Sequence, residues 1–247
     1  MRLKLIGCQL LARELCDAAV RSVHLVDTKF LPAGLHNTGA KRMRARIQAA
    51  IDAADAGRYD AIALGYALCG SGLAEIVARS TPLVLPRAHD CITLLMGARD
   101  RYSACFSGNC GVYYRSAGWV ERADEMTEQF LGLRDEADLD TLIERYGDDS
   151  GRYLYEQLTA YRRSYNALAF ITTGLEPDGH FLASARREAS EKGWTFSEIR
   201  GDLTMFHRLL SGEWNDDFLI VPPGHRIVAT HDEAIVAARP ATAVAGQ

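Results

Sequence analysis

The chain has 247 residues, 48% of them hydrophobic and 24% charged, with a formal net charge of −4. That length buries a core without staples, and that composition excludes a disordered, fibrous or membrane-spanning chain. With 28 basic residues against 32 acidic ones, no broad positive surface is available for nucleic acid.

Arg2–Gly7 reads as a short apolar strand, continued by an amphipathic helix over Cys8–Val20. Glu14 and Asp17 interrupt this apolar start and no small-residue cleavage site follows, so a signal peptide is not expected. Ser22–Val26 reads as the second strand, running into a loop that Pro32 and Gly34 punctuate. Thr38–Ala56 reads as a strong helix with Ile47, Ile51 and Ala54 on one stripe. Its basic run of Lys41, Arg42, Arg44 and Arg46 reads as a solvated helix face; a phosphate- or partner-binding patch is the alternative. Asp60–Tyr66 and Pro82–Pro86 read as strands, Gly72–Arg79 and Cys91–Tyr102 as helices. Val112–Tyr114 is a further strand, and from Glu121 to Tyr165 the chain turns polar and helical. Strands over Ala167–Thr172, Thr195–Ile199 and Phe218–Val221 then alternate with helices over Gly179–Lys192 and Leu203–Leu210. The tail from Ala237 reads as frayed.

Helices between short, nearly all-apolar strands specify an α/β fold with mostly parallel sheets covered on both faces. The expected organisation is two Rossmann-like βα lobes, residues 1–118 and 167–236, joined by a helical connector over 119–166 and followed by a tail over 237–247. Such an arrangement places a ligand crevice between the lobes, beyond the carboxyl ends of the strands.

Three of the six cysteines occupy equivalent slots. Cys8 follows the first strand, Cys69 the third and Cys91 the fourth, each where a strand gives way to a helix. In a parallel sheet all three thiols lie on one edge, although 61 and 22 residues separate them in sequence. A helix N-terminus favours a thiolate, and a bound cation balances three of them. Gly70 and Gly72, with Ser71 between them, let the backbone approach a bound group. Metal or cluster binding is the leading reading; a reactive thiol and simple packing are the others. Cys16, two helical turns after Cys8, reads as core, and Cys105 and Cys110 as a weak chelating loop.

Other candidates surround the same edge. His89 beside Cys91 reads as a fourth ligand or a general base, and Asp90 as the cap of the following helix. His36, ending the loop after strand two, reads as a pocket residue that does not ligate metal. Tyr66, Tyr113, Tyr114 and Trp119 read as core aromatics able to wall a pocket. In the second half, Thr173, Gly174 and Asp202 stand at strand ends and offer N–H groups and a carboxylate to a ligand, with Asp202 equally a helix cap. No dinucleotide fingerprint, P-loop or nucleophile elbow is present.

The segments LPAGLHN, GYALCGSGL, LPRAHDCITLLMGARDRY, GVYYRSAGW and GDLTMFHRLLSGEWNDDFLIVPPG, in that order, resemble the domain-of-unknown-function 1638 family over about residues 3–225. The resemblance implies a cytoplasmic bacterial or archaeal protein, often encoded beside corrinoid-dependent methyltransferases. It also implies cysteines at Cys8, Cys69 and Cys91 with a His-Asp pair before the last. The stretch FSGNCGVYY departs from the Pro-Gly-Thr-Tyr-Tyr-like pattern of that family, which makes Cys110 incidental. The function expected is a zinc-dependent enzyme of one-carbon, methyl-transfer metabolism, acting on a small molecule with a corrinoid protein as partner. An iron–sulfur ([4Fe-4S]) protein for electron transfer or reductive activation is one alternative. A non-catalytic corrinoid- or ligand-binding module is the other. Neither nucleic acid nor membrane is an expected partner.

Overall fold

A computed structural model describes residues 1–55, 57–98, 101, 111–123, 139–159 and 165–241. The expected helix ends at Ala56 and Tyr102, and the loop of Cys105 and Cys110, lie outside them. In chain order the elements are β1 (Arg2–Cys8), α1 (Ala12–Arg21), β2 (Leu25–Leu31), α2 (Ala40–Ala54), β3 (Ala61–Gly65), β4 (Leu83–Pro86) and α3 (Cys91–Met96). There follow β5 (Val112–Arg115), α4 (Ala117–Glu121), α5 (Leu139–Tyr146), α6 (Asp148–Thr159), β6 (Ala167–Thr172), α7 (His180–Glu191) and β7 (Thr195–Arg200). The last are α8 (Thr204–Ser211), β8 (Phe218–Val221), β9 (His225–Ala229) and β10 (Val236–Pro240). The fold is a mixed α/β one with mostly parallel sheets. The chain divides into two compact units, Met1–Arg99 with Asp202–Gln247, and Asp100–Gly201.

The first unit holds a five-stranded sheet in the order β2-β1-β3-β4-β8. β1 pairs in parallel with β2 and β3, and β3 with β4. The runs AIALG and LVLP are buried at every position, as central strands covered on both faces must be. Gly7 and Gly65 are register partners in β1 and β3. A Cβ on either would meet Leu15 at 2.5 or 2.6 Å, so Leu15 of α1 packs directly against the sheet there.

Four expectations need correction in this unit. Phe218–Val221, expected in the C-terminal lobe, joins the first sheet antiparallel to β4. The chain is drawn back by α8, whose Met205, Phe206, Leu209 and Leu210 are buried and pack on α1, β3 and β4. Gly72–Arg79 is not a helix. Its main chain is stitched to β9 instead, with Glu75 and Ala78 donating N–H bonds to the carbonyls of Ile227 and His225 at 2.7 and 2.9 Å. Cys91–Tyr102 is shortened: the helix stops at Met96 because Gly97 takes a left-handed φ of 75°, where a Cβ would strike Asp202. The frayed tail is a strand over Val236–Pro240, paired antiparallel with β9, and residues 242–247 lie outside the described ones.

The second unit has a three-stranded parallel sheet in the order β5-β6-β7. Its core joins Leu168 and Phe170 of β6 to Phe181, Ala185 and Ala189 of α7. Arg115 and Lys192 both bond Glu188 of α7, at 3.0 and 2.6 Å. The helices α5 and α6 lie in the expected connector, of which 124–138 and 160–164 are outside the described residues. Among the described residues no helix is long and apolar enough to cross a membrane.

Candidate functional site

The connection from β1 leads outward to β2 on one side, while β3 and β4 continue on the other. The strand order therefore reverses between β1 and β3, and a parallel sheet leaves an opening beyond its carboxyl ends at that point. Cys8 is the last residue of β1, Tyr66 and Cys69 follow β3, and Cys91 opens α3 after β4. These four side chains, with His36 and Met43, line a single cavity of about 10 Å³. That is room for about one water-sized occupant.

Local structure aims each thiol. Cys69, Gly70 and Ser71 have φ values of 45°, 61° and 69°, a left-handed turn closed by the Gly72 N–H to the Cys69 carbonyl at 3.2 Å. Left-handed backbone costs a non-glycine residue roughly 1–2 kcal/mol, so Cys69 and Ser71 are held there by their surroundings. The restraint is visible: the N–H groups of Leu68 and Cys69 donate to the carbonyls of Ala88 and His89, both at 2.9 Å. Gly72 lies against Met43, whose sulfur would have to shift to admit a Cβ there. Asp90 caps α3 as expected, its Oδ1 accepting the Thr93 N–H at 2.9 Å.

Burial sets the protonation of the site. It pushes the Cys8 thiol up to about 11 and the Cys69 thiol up to about 12. Cys91 lies well above its ordinary value through burial and then through the other two sulfurs and Asp90. The three groups thus feel one another's charge. Opposing this, main-chain N–H groups are directed at the sulfurs: Leu10 at Cys8, and Ala67 and Cys91 at Cys69. The Tyr66 hydroxyl, raised by burial and by Cys8 and Cys69, stays protonated and donates to the Gly7 carbonyl at 3.3 Å. His36 is exposed over part of its surface, yet burial of the ring lowers its pKa from 6.5, so the ring is neutral at pH 7.

The remaining candidates fall elsewhere. His89 is exposed and outside the cavity lining; its visible contribution is the carbonyl that restrains Cys69. Gly70 and Ser71 shape the turn without lining the cavity. Asp202 sits beside Gly97 and accepts the Thr204 N–H at 2.8 Å, acting as a turn at the start of α8. Thr173 and Gly174 belong to the second unit, where their N–H groups donate to Glu176 at 2.8 and 2.9 Å. Cys16 is exposed, a correction to its core assignment. A 3₁₀ turn over Gln9–Leu11 precedes α1, so two α-turns do not separate Cys8 from Cys16. Met43 is the lining residue that sequence reasoning missed. It sits four residues before Ile47 on the buried stripe of α2, which marks it as inward-facing but not as a cavity wall.

Among the described residues, no group of three or more His, Cys, Asp or Glu side chains is arranged so as to hold a metal ion. The lining carries three thiols beside the His36 ring and the Tyr66 hydroxyl, with N–H groups directed at the Cys8 and Cys69 sulfurs and no carboxylate among the lining residues, a donor set of the kind that suits a thiophilic ion.

A family model described as protein of unknown function, DUF1638, matches residues 30–210. The chain belongs to the DUF1638 family. The span matched by DUF1638 contains His36, Met43, Cys69 and Cys91, whereas Cys8 precedes it. No curated protein and no solved structure matches the chain.

Proposed function

We propose that this chain binds one thiophilic metal ion, zinc in the first instance, through Cys8, Cys69 and Cys91. The observation that carries the reading is the convergence of three thiols from three strand ends on one cavity at the point where strand order reverses. The four described cysteines are all free, as metal-ligand chemistry in a reducing compartment requires. A cavity of about 10 Å³ favours a single ion over a four-iron cluster.

We read the chemistry as methyl transfer on a small-molecule thiol, with a corrinoid protein as the methyl carrier; that link rests on the family resemblance. Such an ion would supply a Lewis acid that favours the thiolate form of a substrate thiol. The chain's own residues do the rest. Cys8, Cys69 and Cys91 would hold the ion as thiolates. His36, neutral at pH 7, accepts the proton of the arriving thiol. Leu10, Leu11, Leu35 and Met43 keep bulk water from the sulfurs. The left-handed backbone at Cys69 holds that ligand in place before binding.

Anaerobic purification followed by elemental analysis tests this. Zinc at one equivalent per chain, lost in Cys69→Ser and kept in Cys16→Ser, is the expected result. Metal at background, or metal that survives Cys69→Ser, overturns the reading. A brown preparation containing iron and sulfide replaces the single ion with a cluster.

A further inference from the structure

The turn between β9 and β10 holds a strained residue that the candidate site does not use. Ile235 is buried, yet its φ is 62°. A positive φ is an outlier for a β-branched residue. Ile235 is the middle of a three-residue turn closed by the Val236 N–H to the Ala234 carbonyl at 2.6 Å, the rare, strained form of the γ-turn. Such backbone persists only where its surroundings over-determine it.

Arg87 is what holds it. Its Nη1 donates to the Ala234 carbonyl at 2.9 Å and also to the Val236 carbonyl, one on either side of Ile235. Arg87 stands directly after β4, and its own N–H donates to the Asp217 carbonyl at 2.8 Å. The next two residues, Ala88 and His89, supply the carbonyls that restrain Leu68 and Cys69, and Cys91 follows two residues later. The other strand of the hairpin holds the far side of the Cys69 turn. There β9 bonds the stretch after Gly72, through Glu75 to Ile227, Ile227 to Ile76 and Ala78 to His225, at 2.7, 2.9 and 2.9 Å. Glu75 is itself left-handed, with a φ of 69°, and its carboxylate pairs with Arg226 of β9 at 3.0 Å. One hairpin therefore holds both the segment that follows Cys69 and the segment that precedes Cys91. Cys8 ends β1, which pairs with β2 and β3.

We infer that Arg87 is a positioning residue: by tying the β9–β10 hairpin to the segment that leads into Cys91, it fixes where Cys69 and Cys91 present their thiols. A guanidinium suits the task, because its several donors lie in a fixed plane and bond two carbonyls at once with charge assistance. The inference deepens the three-thiol reading of the cavity. Its test reads thiol exposure in metal-free protein, so it fails separately from that reading.

The full, metal-free chain is pulsed with iodoacetamide under native conditions, and the labelling rate of each cysteine is read by peptide mass spectrometry. Arg87→Gln should raise the rates of Cys69 and Cys91 by about tenfold, because a charge-assisted bond is lost and the segments open locally, and should leave Cys8 unchanged. Arg87→Lys keeps the charge and a donor and should restore much of the protection. Asp232 is exposed and accepts the Ala234 N–H and the Thr230 hydroxyl at the hairpin tip, at 3.0 and 2.7 Å. Asp232→Ala thus loosens the hairpin with Arg87 intact, and should give the same pattern more weakly even where Arg87→Gln does not fold. Unchanged rates at Cys69 and Cys91 in both Arg87→Gln and Asp232→Ala overturn the inference. An equal rise at all three cysteines also overturns it, since Arg87 would then support folding in general and not the placement of two thiols.

Discussion

Both units end parallel strands in small and polar residues, but those ends behave differently. In the first unit the groups beyond β1, β3 and β4 face a shared cavity and include three thiols. In the second the N–H groups of Thr173 and Gly174, beyond β6, are already occupied by Glu176. Strand order explains the difference. The order β5-β6-β7 advances in one direction, whereas β2-β1-β3-β4 reverses and so leaves an opening. A polar strand end is thus a site only where the topology leaves it unsatisfied. Charge differs as well: Arg115 and Lys192 share Glu188, while the first turn of α2 carries no acidic residue.

The largest effect expected from separating the units comes from the second core. Phe170 is fully buried, and Phe170→Ala should destabilise its unit by about 3–5 kcal/mol. Thermal unfolding should show that loss, with zinc content of the folded protein unchanged. A fall in zinc stoichiometry would show that the site of the first unit depends on the core of the second.

The next test uses pH. Burial holds the Cys8 and Cys69 thiols at about 11 and about 12 against an ordinary 9.0. In the unfolded chain these thiols ionise near 9, while in the metal-free fold they stay protonated. Their contribution to stability is therefore whole below pH 9 and is lost as pH rises through 11 to 12. Denaturant unfolding of the metal-free protein should show this loss, and the zinc-bound form should resist it because its sulfurs are already ionised. Zinc affinity should instead weaken as pH falls, since binding must release the thiol protons. Parallel alkaline profiles for the two forms would contradict a thiolate site.

Smaller changes sharpen the contrast between occupied and open strand ends. Glu176→Ala should cost about 1–2 kcal/mol through its lost charge-assisted bonds, with no effect on metal content. Ser71→Gly should stabilise by about 0.5–1 kcal/mol, because glycine accepts a φ of 69° without penalty. Chemical denaturation reads both, and a destabilised Ser71→Gly would mean that the turn is not strained.

Local patterns were legible where the physics is local. The apolar runs of β1, β3, β4 and β6 announced themselves, as did the Asp90 cap, because burial on both faces and capping each leave a mark within a few residues. The positions of Cys8, Cys69 and Cys91 at strand ends were visible, but strand order was not. Nothing near Phe218 says that β8 runs antiparallel beside β4, since that pairing depends on α8 docking against α1. The segment Gly72–Arg79 misled because its helical composition is overruled by N–H bonds to β9, some 150 residues away.

Cobalt(II) titration of the metal-free protein tests the central claim most directly, because thiolate ligation gives cobalt a near-ultraviolet charge-transfer band that an oxygen or nitrogen site lacks. The account predicts a band saturating at one cobalt per chain, diminished in each of Cys8→Ser, Cys69→Ser and Cys91→Ser and unchanged in Cys16→Ser. A missing band, or one of full intensity in Cys8→Ser, would contradict a shared three-cysteine site.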